Sequence, residues 1–403
     1  MKILVYRWDI YPYDNIIKTL KKQGHLVDVL AFPISNHISD SSFTPILEEK
    51  LRENAYDLVF SVNFYAVIAG TCFRENIHYA AWTCDTPLLS MLHPSVEYPT
   101  SHIFTFDRSE YEKFHKQGVP HIHYLPLAGT EEGNLQPSLP PDAATPSDSR
   151  PAPGSVYLYD ISFVGSLYEK NRYEDMCLAL PDRLRGFMDA ILEAGRHISG
   201  GDFISRMLAK DILSEVSQHV SLEGEALSEE ALRIHFETSV LSYKIAADTR
   251  LNALWFLSQN HLVDLFTSTP PDHPIMADYD LANHLSLHPP VDYQQELPRI
   301  FRQSKINLNF TIPNITDGIP LRIFDILSCG GFLLTDCRDA LEDMFQDGQD
   351  LVIFHGMEDM MKKADYYLSH PAEREAIARQ GMEKVRSLHT YDIRLTEMFR
   401  KLT

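Results

Sequence analysis

The sequence lacks the features that would place it in a membrane or outside the cell. No apolar run approaches the roughly 18 consecutive residues that are needed to cross a bilayer. The segment Met1–Asp9 has no long apolar core of the kind found in signal peptides. The five cysteines form no C-x-x-C pair and show no paired spacing, so we expect reduced thiols. These absences predict a cytoplasmic protein with no membrane insertion.

Basic residues are scarce compared with acidic ones. The chain has 36 Lys and Arg against 56 Asp and Glu, which gives a formal net charge of −20. Such a charge opposes binding to nucleic acid or to an anionic membrane surface, so we expect no nucleic-acid partner. It does not exclude a nucleotide, because helix ends and one or two basic side chains can hold phosphate locally.

A glycine-rich phosphate loop is also missing after the first predicted strand. Arg7-Trp8-Asp9 stands there instead, which argues against dinucleotide binding at that strand. From Lys2 to Leu125, short apolar runs alternate with helical patterns about six times, which predicts a doubly wound parallel sheet. Ligands of such sheets bind at the carboxyl ends of the strands.

The chain divides at a stretch rich in Pro, Ser, Ala and Asp, residues 131–155, which is typical of a linker. We therefore assign residues 1–130 to a first, Rossmann-like domain and residues 156–390 to a second one. The helical pattern from about residue 172 to 258 contains no strand pattern. It predicts a helical insertion in the second domain.

Two strand ends carry residues suited to ligand binding. Asp160–Val164 reads as a strand followed by Gly165 and Ser166, where phosphate or sugar can approach the backbone closely. In the first domain, Asp85 follows the fourth strand and is a candidate for handling an acceptor hydroxyl. The alternative for Asp85 is a structural role at the start of the turn before Pro87.

The most informative stretch is Ser304–Asp336, which reads S-K-I-N-L-N-F-T-I-P-N-I-T-D-G-I-P-L-R-I-F-D-I-L-S-C-G-G-F-L-L-T-D. Its pattern predicts a strand, a turn, a helix and a second strand. Pro320 suits the first turn of the helix, and Gly330-Gly331 ends it. Free backbone N–H groups at the start of this helix form a place where an anion can dock.

The polar residues in this helix and directly before it have a specific type and spacing. Arg322 and Asp325 are three residues apart and share one helix face, and Asp317 lies eight residues before Asp325. A carboxylate can accept two hydrogen bonds from adjacent sugar hydroxyls, and an arginine suits a diphosphate. The alternative is structural, with Asp317 stabilising the N-terminus of the helix and Arg322 and Asp325 forming a surface ion pair.

The segment G-I-P-L-R-I-F-D-I-L-S-C-G-G-F-L-L resembles the donor-site segment of two-domain (GT-B) glycosyltransferases. In particular it is similar to the group related to the spore maturation protein CgeB, whose pattern is close to G-x-P-x-R-x-F-E-x-L-x-x-G. The wider retaining group has Glu-x7-Glu here, whereas this chain has Asp317 and Asp325. The resemblance extends to A-W-T-C-D-T-P, Y-L-P-L-A-G, I-S-F-V-G-S-L-Y and D-A-L-E-D-M-F-Q-D-G-Q-D-L-V-I-F.

The resemblance implies two Rossmann-like domains facing a cleft, with the C-terminal helix, residues 391–403, crossing back onto the first domain. It implies transfer of a sugar from a nucleotide sugar to an acceptor protein or cell-surface glycan, with retention and without a metal or other cofactor. Arg322 would stabilise the leaving diphosphate, Asp325 would bind the ribose and Asp317 the sugar. The backbone around the donor phosphates would come from Gly165, Ser166, Gly318, Ile319, Pro320 and Leu321.

Three further possibilities remain at the level of sequence. Asp278-Tyr279-Asp280 spells a D-x-D motif that holds a divalent metal in another glycosyltransferase fold, but its position here does not fit that fold. A sugar-nucleotide epimerase of the same fold would need an acid and a base flanking the sugar carbon, and no matching pair is found. A non-catalytic binding or assembly module would have no reason to keep Arg322, Asp325 and Gly165 together.

Overall fold

The computed structural model describes residues 1–8, 13–131, 157–198, 200–220 and 228–402. The predicted linker, residues 131–155, lies outside the described residues from position 132 onward. Two six-stranded sheets are present in the described part, and every strand pair in both sheets is parallel. The prediction of two parallel α/β units is therefore confirmed.

The first sheet is built from alternating strands and helices. Its strand order is β2-β1-β3-β4-β5-β6. Two short 3₁₀ helices, Leu89–Leu92 and Pro94–Glu97, lie between β4 and β5. The elements are β1 (Lys2–Arg7), α1 (Tyr13–Lys22), β2 (Leu26–Ala31), α2 (Phe43–Glu53), β3 (Leu58–Val62), α3 (Ala66–Arg74), β4 (His78–Trp82), β5 (Ser101–Thr105), α4 (Arg108–Lys116) and β6 (Ile122–Tyr124).

The second sheet has the strand order β12-β11-β10-β7-β8-β9. A π-helical segment, Phe236–Ser242, joins α9 to α10. The elements are β7 (Tyr159–Val164), α5 (Tyr173–Cys177), α6 (Asp182–Gly195), α7 (Phe203–Met207), α8 (Lys210–Val216), α9 (Glu229–His235), α10 (Tyr243–Ser258), β8 (Val263–Phe266), α11 (Pro274–Asp278), α12 (Leu281–His284), β9 (Ser286–His288), α13 (Leu297–Gln303), β10 (Ser304–Asn309), α14 (Leu321–Ser328), β11 (Leu333–Asp336), α15 (Asp339–Met344), β12 (Val352–Phe354), α16 (Met357–Ser369), α17 (Pro371–Leu388) and α18 (Tyr391–Leu402).

Burial explains why these segments form parallel sheets. All five residues of β3 and all five of β5 are buried, so both faces of the first sheet are covered. Parallel sheets need helices on both faces, because each crossover connection places a helix there. The apolar runs of the sequence therefore become central strands rather than alternating surface strands.

Between β7 and β8, all regular elements in the described residues are helices. Helices α5 to α9 and the π-helical segment pack around their own apolar cluster, which includes Leu184, Met188, Phe236 and Leu241. No described residue of this segment belongs to either sheet. The segment is attached to the sheet through α10, which packs against the second sheet with Leu251, Leu254 and Leu257, among other residues.

Helix α18 lies on the first domain. The Gln23 side chain on α1 donates to the carbonyl of Asp392 at 3.0 Å, and Arg394 Nε donates to the carbonyl of Pro126 at 3.1 Å. One apolar cluster also runs across both domains and contains Phe106 of the first and Phe324 of the second. None of the described helices combines the length and the apolar character that a membrane crossing requires.

Candidate functional site

The loops at the carboxyl ends of the two sheets contact each other. The loop after β4 contributes Thr86, whose carbonyl accepts a hydrogen bond from the Asn314 side chain in the loop after β10. The loop after β5 contributes Asp107, which forms an antiparallel bridge with Gly318. A Cβ atom at Gly318 would lie 3.0 Å from the Phe106 ring, so this close approach favours glycine. The two strand ends that bind ligands in this fold class therefore border one cleft.

Asp107 is the central residue of this contact and was not identified from the sequence. Its carboxylate is fully buried and accepts hydrogen bonds from the backbone N–H groups of Thr316 at 2.8 Å and Asp317 at 3.1 Å. It also caps α4 by accepting from the N–H of Glu110 at 3.2 Å. The only sequence signal for it was an aspartate directly before a helix.

Asp317 lies at the domain boundary. Its carboxylate is 3.7 Å from Nε of Arg108, a residue of the first domain. Burial raises the pKa of Asp317, the Arg108 charge opposes this rise, and its Oδ1 is buried with no hydrogen-bond donor among the described residues. That oxygen is a hydrogen-bond acceptor without a donor among the described residues.

Helix α14 begins one residue later than the sequence indicated, because Pro320 occupies the N-cap position and Leu321 is the first helical residue. The Arg322 guanidinium lies over the Phe301 ring at 5.4 Å. Its Nη1 is 3.8 Å from Asp325 Oδ2, which exceeds hydrogen-bond distance, and it has no acceptor among the described residues. The predicted Arg322–Asp325 pair is thus present but loose, and a donor on Arg322 is left for a ligand.

Asp325 is largely buried on the same helix. Burial raises its pKa from 3.8 to about 6, while the Arg322 charge and a hydrogen bond from Tyr293 act in the opposite direction. The Tyr293 hydroxyl donates to Asp325 Oδ1 at 2.6 Å. This partner was missed in the sequence, because Tyr293 and Asp325 are 32 positions apart. The second carboxylate oxygen, Oδ2, lies 3.8 Å from Arg322 Nη1, which is beyond hydrogen-bond distance.

Asp85 is exposed at the end of β4 and is held by Asn63, which follows β3. The Asn63 amide Nδ2 donates to Asp85 Oδ2 at 2.7 Å, and its Oδ1 accepts from the N–H groups of Cys84 at 2.9 Å and Asp85 at 3.2 Å. Asn63 adopts a left-handed backbone conformation with φ of 63°. Strained conformations of this kind concentrate at functional sites.

Gly165 and Ser166 follow β7, as the sequence indicated. The Ser166 hydroxyl accepts from the N–H of Tyr168 at 2.9 Å, which closes a tight turn in which Tyr168 has φ of 53°. The carbonyl of Ser166 accepts from Arg250 Nη1 at 2.6 Å. A Cβ at Gly165 would lie 3.2 Å from the Phe163 ring. Ser166 is therefore exposed at the strand end, and its backbone is held in place by Arg250.

Electrostatic effects connect the two sides of the cleft. Burial raises the pKa of Tyr243 on α10, and the charges of Tyr168 and Asp85 add to this rise. Burial also raises the pKa of Tyr391, with further contributions from Asp325 and Cys84. Asp85 of the first domain is thus close to Tyr243 of the second, and Tyr391 of α18 lies near both Cys84 and Asp325.

The D-x-D motif takes part in local turns. Asp278 ends α11, and Asp280, with φ of 50°, precedes α12 and accepts a hydrogen bond from Asn283 at 2.7 Å. Within residues 1–8, 13–131, 157–198, 200–220 and 228–402, no group of three or more His, Cys, Asp or Glu side chains is placed to hold a metal ion.

Part of the sequence is similar to a protein family and to a known protein. A family model described as "Glycosyl transferase-like" matches residues 271–400. The spore protein CgeB of Bacillus subtilis is 28% identical over 140 residues, which cover 34% of this chain and 38% of that protein. The chain thus spans under two fifths of the length of this curated relative.

Solved structures show the same fold along almost the whole chain. HepE from Anabaena in complex with UDP and glucose has a TM-score of 0.56 at 10% identity, covering 100% of this chain and 99% of that one. A sucrose-phosphate synthase from Thermosynechococcus elongatus gives 0.56 at 10% identity, covering 100% and 98%. A glycosyltransferase from Rickettsia africae gives 0.55 at 9% identity, covering 99% and 97%. The chain therefore has the two-domain GT-B fold of these solved structures, and its residues 271–400 are similar to a glycosyltransferase-like family.

Proposed function

We propose that this protein transfers a sugar from a nucleotide sugar to an acceptor, with retention of anomeric configuration and without a metal ion. The observation that supports the proposal is the contact between the strand-end loops of the two sheets, which joins the loops after β4 and β5 to the loop that leads into α14. The solved structure of HepE with UDP-glucose, which shares this fold, supports a nucleotide sugar as the donor.

The donor occupies the second domain. Arg322 stabilises the charge that develops on the leaving diphosphate, and its unpartnered Nη1 supports this role. The backbone from Gly318 to Leu321, at the start of α14, and the turn at Gly165 and Ser166 approach the phosphates. A diphosphate bound there is a better leaving group, because fixed backbone N–H dipoles stabilise its developing charge. Water molecules would first have to reorient around that charge.

The two aspartates of α14 and its preceding loop bind hydroxyl groups. Asp325 accepts the ribose hydroxyls, and Tyr293 fixes the orientation of its carboxylate through the 2.6 Å hydrogen bond. Asp317 accepts a sugar hydroxyl through its unpartnered Oδ1. The Arg108 guanidinium at 3.7 Å opposes the rise in the pKa of this carboxylate that burial causes, and it connects sugar binding with closure of the two domains.

The acceptor occupies the first domain. Asp85 binds the acceptor hydroxyl as a hydrogen-bond acceptor, and Asn63 holds it at the mouth of the cleft. The acceptor is a protein or a cell-surface glycan. The similarity of 140 residues to a spore protein supports a CgeB-like member of the class.

A panel of sugar nucleotides, assayed without acceptor, tests this proposal against its alternatives. We expect slow hydrolysis of one donor, since transferases allow water to replace the acceptor. An epimerase would instead interconvert sugars, and a binding module would leave every donor intact. Hydrolysis should persist in EDTA, and NMR of the first-formed sugar should show the donor's anomeric configuration. Loss of activity in EDTA or an inverted product would contradict these two parts of the proposal.

A further inference from the structure

We propose that Arg250, on α10, is a second cation that binds the donor diphosphate, in addition to Arg322. It contacts the loops that follow β7 and β10. This inference rests on the proposed function, because it takes the nucleotide sugar as the ligand. Arg250 does not belong to the α14 segment and carries no signal in the sequence beyond being a basic residue on an apolar helix.

The contacts of Arg250 place it at the ligand-binding edge of the second sheet. It is 8% exposed, its Nη1 donates to the carbonyl of Ser166 at 2.6 Å, and its Nη2 donates to the carbonyl of Phe310 at 2.7 Å. Ser166 follows β7 and Phe310 follows β10, which are neighbouring strands. One guanidinium therefore connects two strand-end loops where ligands of parallel sheets bind.

Two aromatic rings fix the plane of the guanidinium. Its central carbon lies 4.6 Å from the centre of the Tyr168 ring and 5.3 Å from that of Phe163. The left-handed turn at Tyr168 brings this ring back over Arg250. A guanidinium with a fixed plane loses little conformational freedom when it forms directed hydrogen bonds to phosphate oxygens.

The charge of Arg250 lacks a paired anion. Among the described residues no carboxylate forms an ion pair with it, and its Nε has no hydrogen-bond acceptor. Burial lowers the pKa of Arg250, whereas Tyr168 and Asp336 raise it, and the Arg322 charge lowers it further. A buried cation is costly without a partner, and two nearby guanidinium groups repel each other. A bound diphosphate would supply negative charge to both.

Arg250 could instead serve only to connect the two loops. The two roles differ in which ligands they affect. A cation that binds phosphate contributes to affinity in proportion to the phosphate charge of the ligand. It contributes nothing to the affinity for a nucleoside, which has no phosphate. A purely structural arginine would hold the shape of the pocket, so its replacement would weaken every ligand to a similar extent.

The test compares Arg250→Lys with the wild type on a series of ligands that differ only in phosphate. If the donor panel selects uracil, the series is UDP, UMP and uridine, with dissociation constants from calorimetry and from competition for weak ligands. Lysine keeps the charge and can donate to the loop carbonyls, but it cannot make the directed contacts of a guanidinium. We expect the dissociation constant to rise about tenfold or more for UDP and less than about twofold for uridine.

Arg374→Lys is the matched control. Arg374 is 2% exposed, donates to the carbonyl of Tyr367 at 2.6 Å, lies over the Tyr157 ring and has an unpartnered Nε. It belongs to α17 and contacts no strand-end loop in these bonds. We expect Arg374→Lys to leave all three dissociation constants unchanged. A similar phosphate-dependent loss in this control would overturn the assignment to Arg250.

A second variant covers the case in which Arg250→Lys does not fold, as judged by circular dichroism. Tyr168→Leu keeps Arg250 but removes the ring that orients it, so UDP affinity should fall while uridine affinity stays the same. Equal losses for UDP and uridine, or no loss for UDP, would overturn the inference alone. Failure of the wild type to bind any nucleoside diphosphate would instead overturn the proposed function and this inference with it.

Discussion

The carboxylate of Asp107 accepts a 2.8 Å hydrogen bond from the backbone N–H of Thr316. These residues are 209 positions apart and belong to different domains. The same carboxylate also accepts from the next N–H, that of Asp317, and from the Thr316 hydroxyl. The loop that leads into α14 is thus shaped by a side chain of the opposite domain, so we expect donor binding at this loop and domain contact to depend on each other.

Replacing Asp107 should therefore affect both stability and donor binding. Asp107→Ala leaves several buried donors without an acceptor, so we expect a loss of about 3 kcal/mol in the free energy of unfolding, measured by urea denaturation. The donor dissociation constant should also rise. Ser228→Ala is the control, because Ser228 caps α9 through the N–H of Ala231 within one domain. It should cost about 1 kcal/mol and leave donor affinity unchanged. Unchanged donor affinity in Asp107→Ala would contradict the coupling.

Arg322 should matter more for turnover than for stability. We expect Arg322→Ala to reduce turnover about a hundredfold, or about 3 kcal/mol, because one preorganised contact to the leaving group is lost. Arg322→Lys should recover only part of the rate, since an ammonium cannot make the bidentate contact. The 3.8 Å separation from Asp325 predicts a change in unfolding free energy of under about 1 kcal/mol. Turnover of the alanine variant at the wild-type rate would rule out this role.

Donor binding should depend on pH through Asp325. Its pKa of about 6 means that the carboxylate form, which accepts the ribose hydroxyls, is lost below pH 6. We expect the dissociation constant of an intact sugar nucleotide to rise up to about tenfold for each pH unit below this value. An intact donor is needed because its diphosphate does not titrate in this range. Asp325→Asn should bind weakly and show no such dependence, and a flat wild-type profile would contradict the assignment.

Asp325 also makes the stability of the ligand-free protein depend on pH. This dependence is opposite in direction to that of donor binding. The unfolded carboxyl ionises near 3.8, whereas the folded one ionises near 6, so the folded state binds more protons between these values. The stabilising contribution of Asp325 is therefore complete below pH 3.8 and is lost as the pH rises through 6. Asp325→Asn should remove this component from the pH profile of the melting temperature.

Asn63 should control acceptor chemistry without affecting the donor. Asn63→Ala removes the amide that holds Asp85, so we expect the transfer rate to fall by about tenfold while donor hydrolysis without acceptor remains unchanged. The substitution also strains a left-handed backbone position, at a cost of about 1 kcal/mol. Asn76→Ala is the matched control, since Asn76 has φ of 53° in the turn after α3. Asn76→Ala should lose a similar amount of unfolding free energy and keep the wild-type transfer rate. Parallel losses of transfer and hydrolysis in Asn63→Ala would contradict the acceptor role.

The sequence by itself determined the repeated strand–helix alternation and the extent of α14. Both follow from local physical chemistry, because apolar periodicity and the positions of proline and glycine act over a few residues. The predicted helix from Pro320 to about Cys329 is observed as Leu321–Ser328, and the spacing of Arg322 and Asp325 follows from it. Resemblance to a glycosyltransferase segment was also readable at this level, because the motif is contiguous.

Only the tertiary structure decided which side chains surround that motif. The partners Asp107–Thr316, Tyr293–Asp325, Asn63–Asp85 and Arg250–Ser166 are separated by 209, 32, 22 and 84 positions. Asp107, Thr316, Asn63, Asp85 and Ser166 lie in loops that follow strands, and these loops meet because parallel strands carry all their carboxyl ends to one edge of a sheet. Arg250 and Asp325 lie inside helices α10 and α14. A sequence pattern records the neighbours along the chain, whereas the burial and charge of Arg250 or Asp325 depend on which loops the folded sheets bring together.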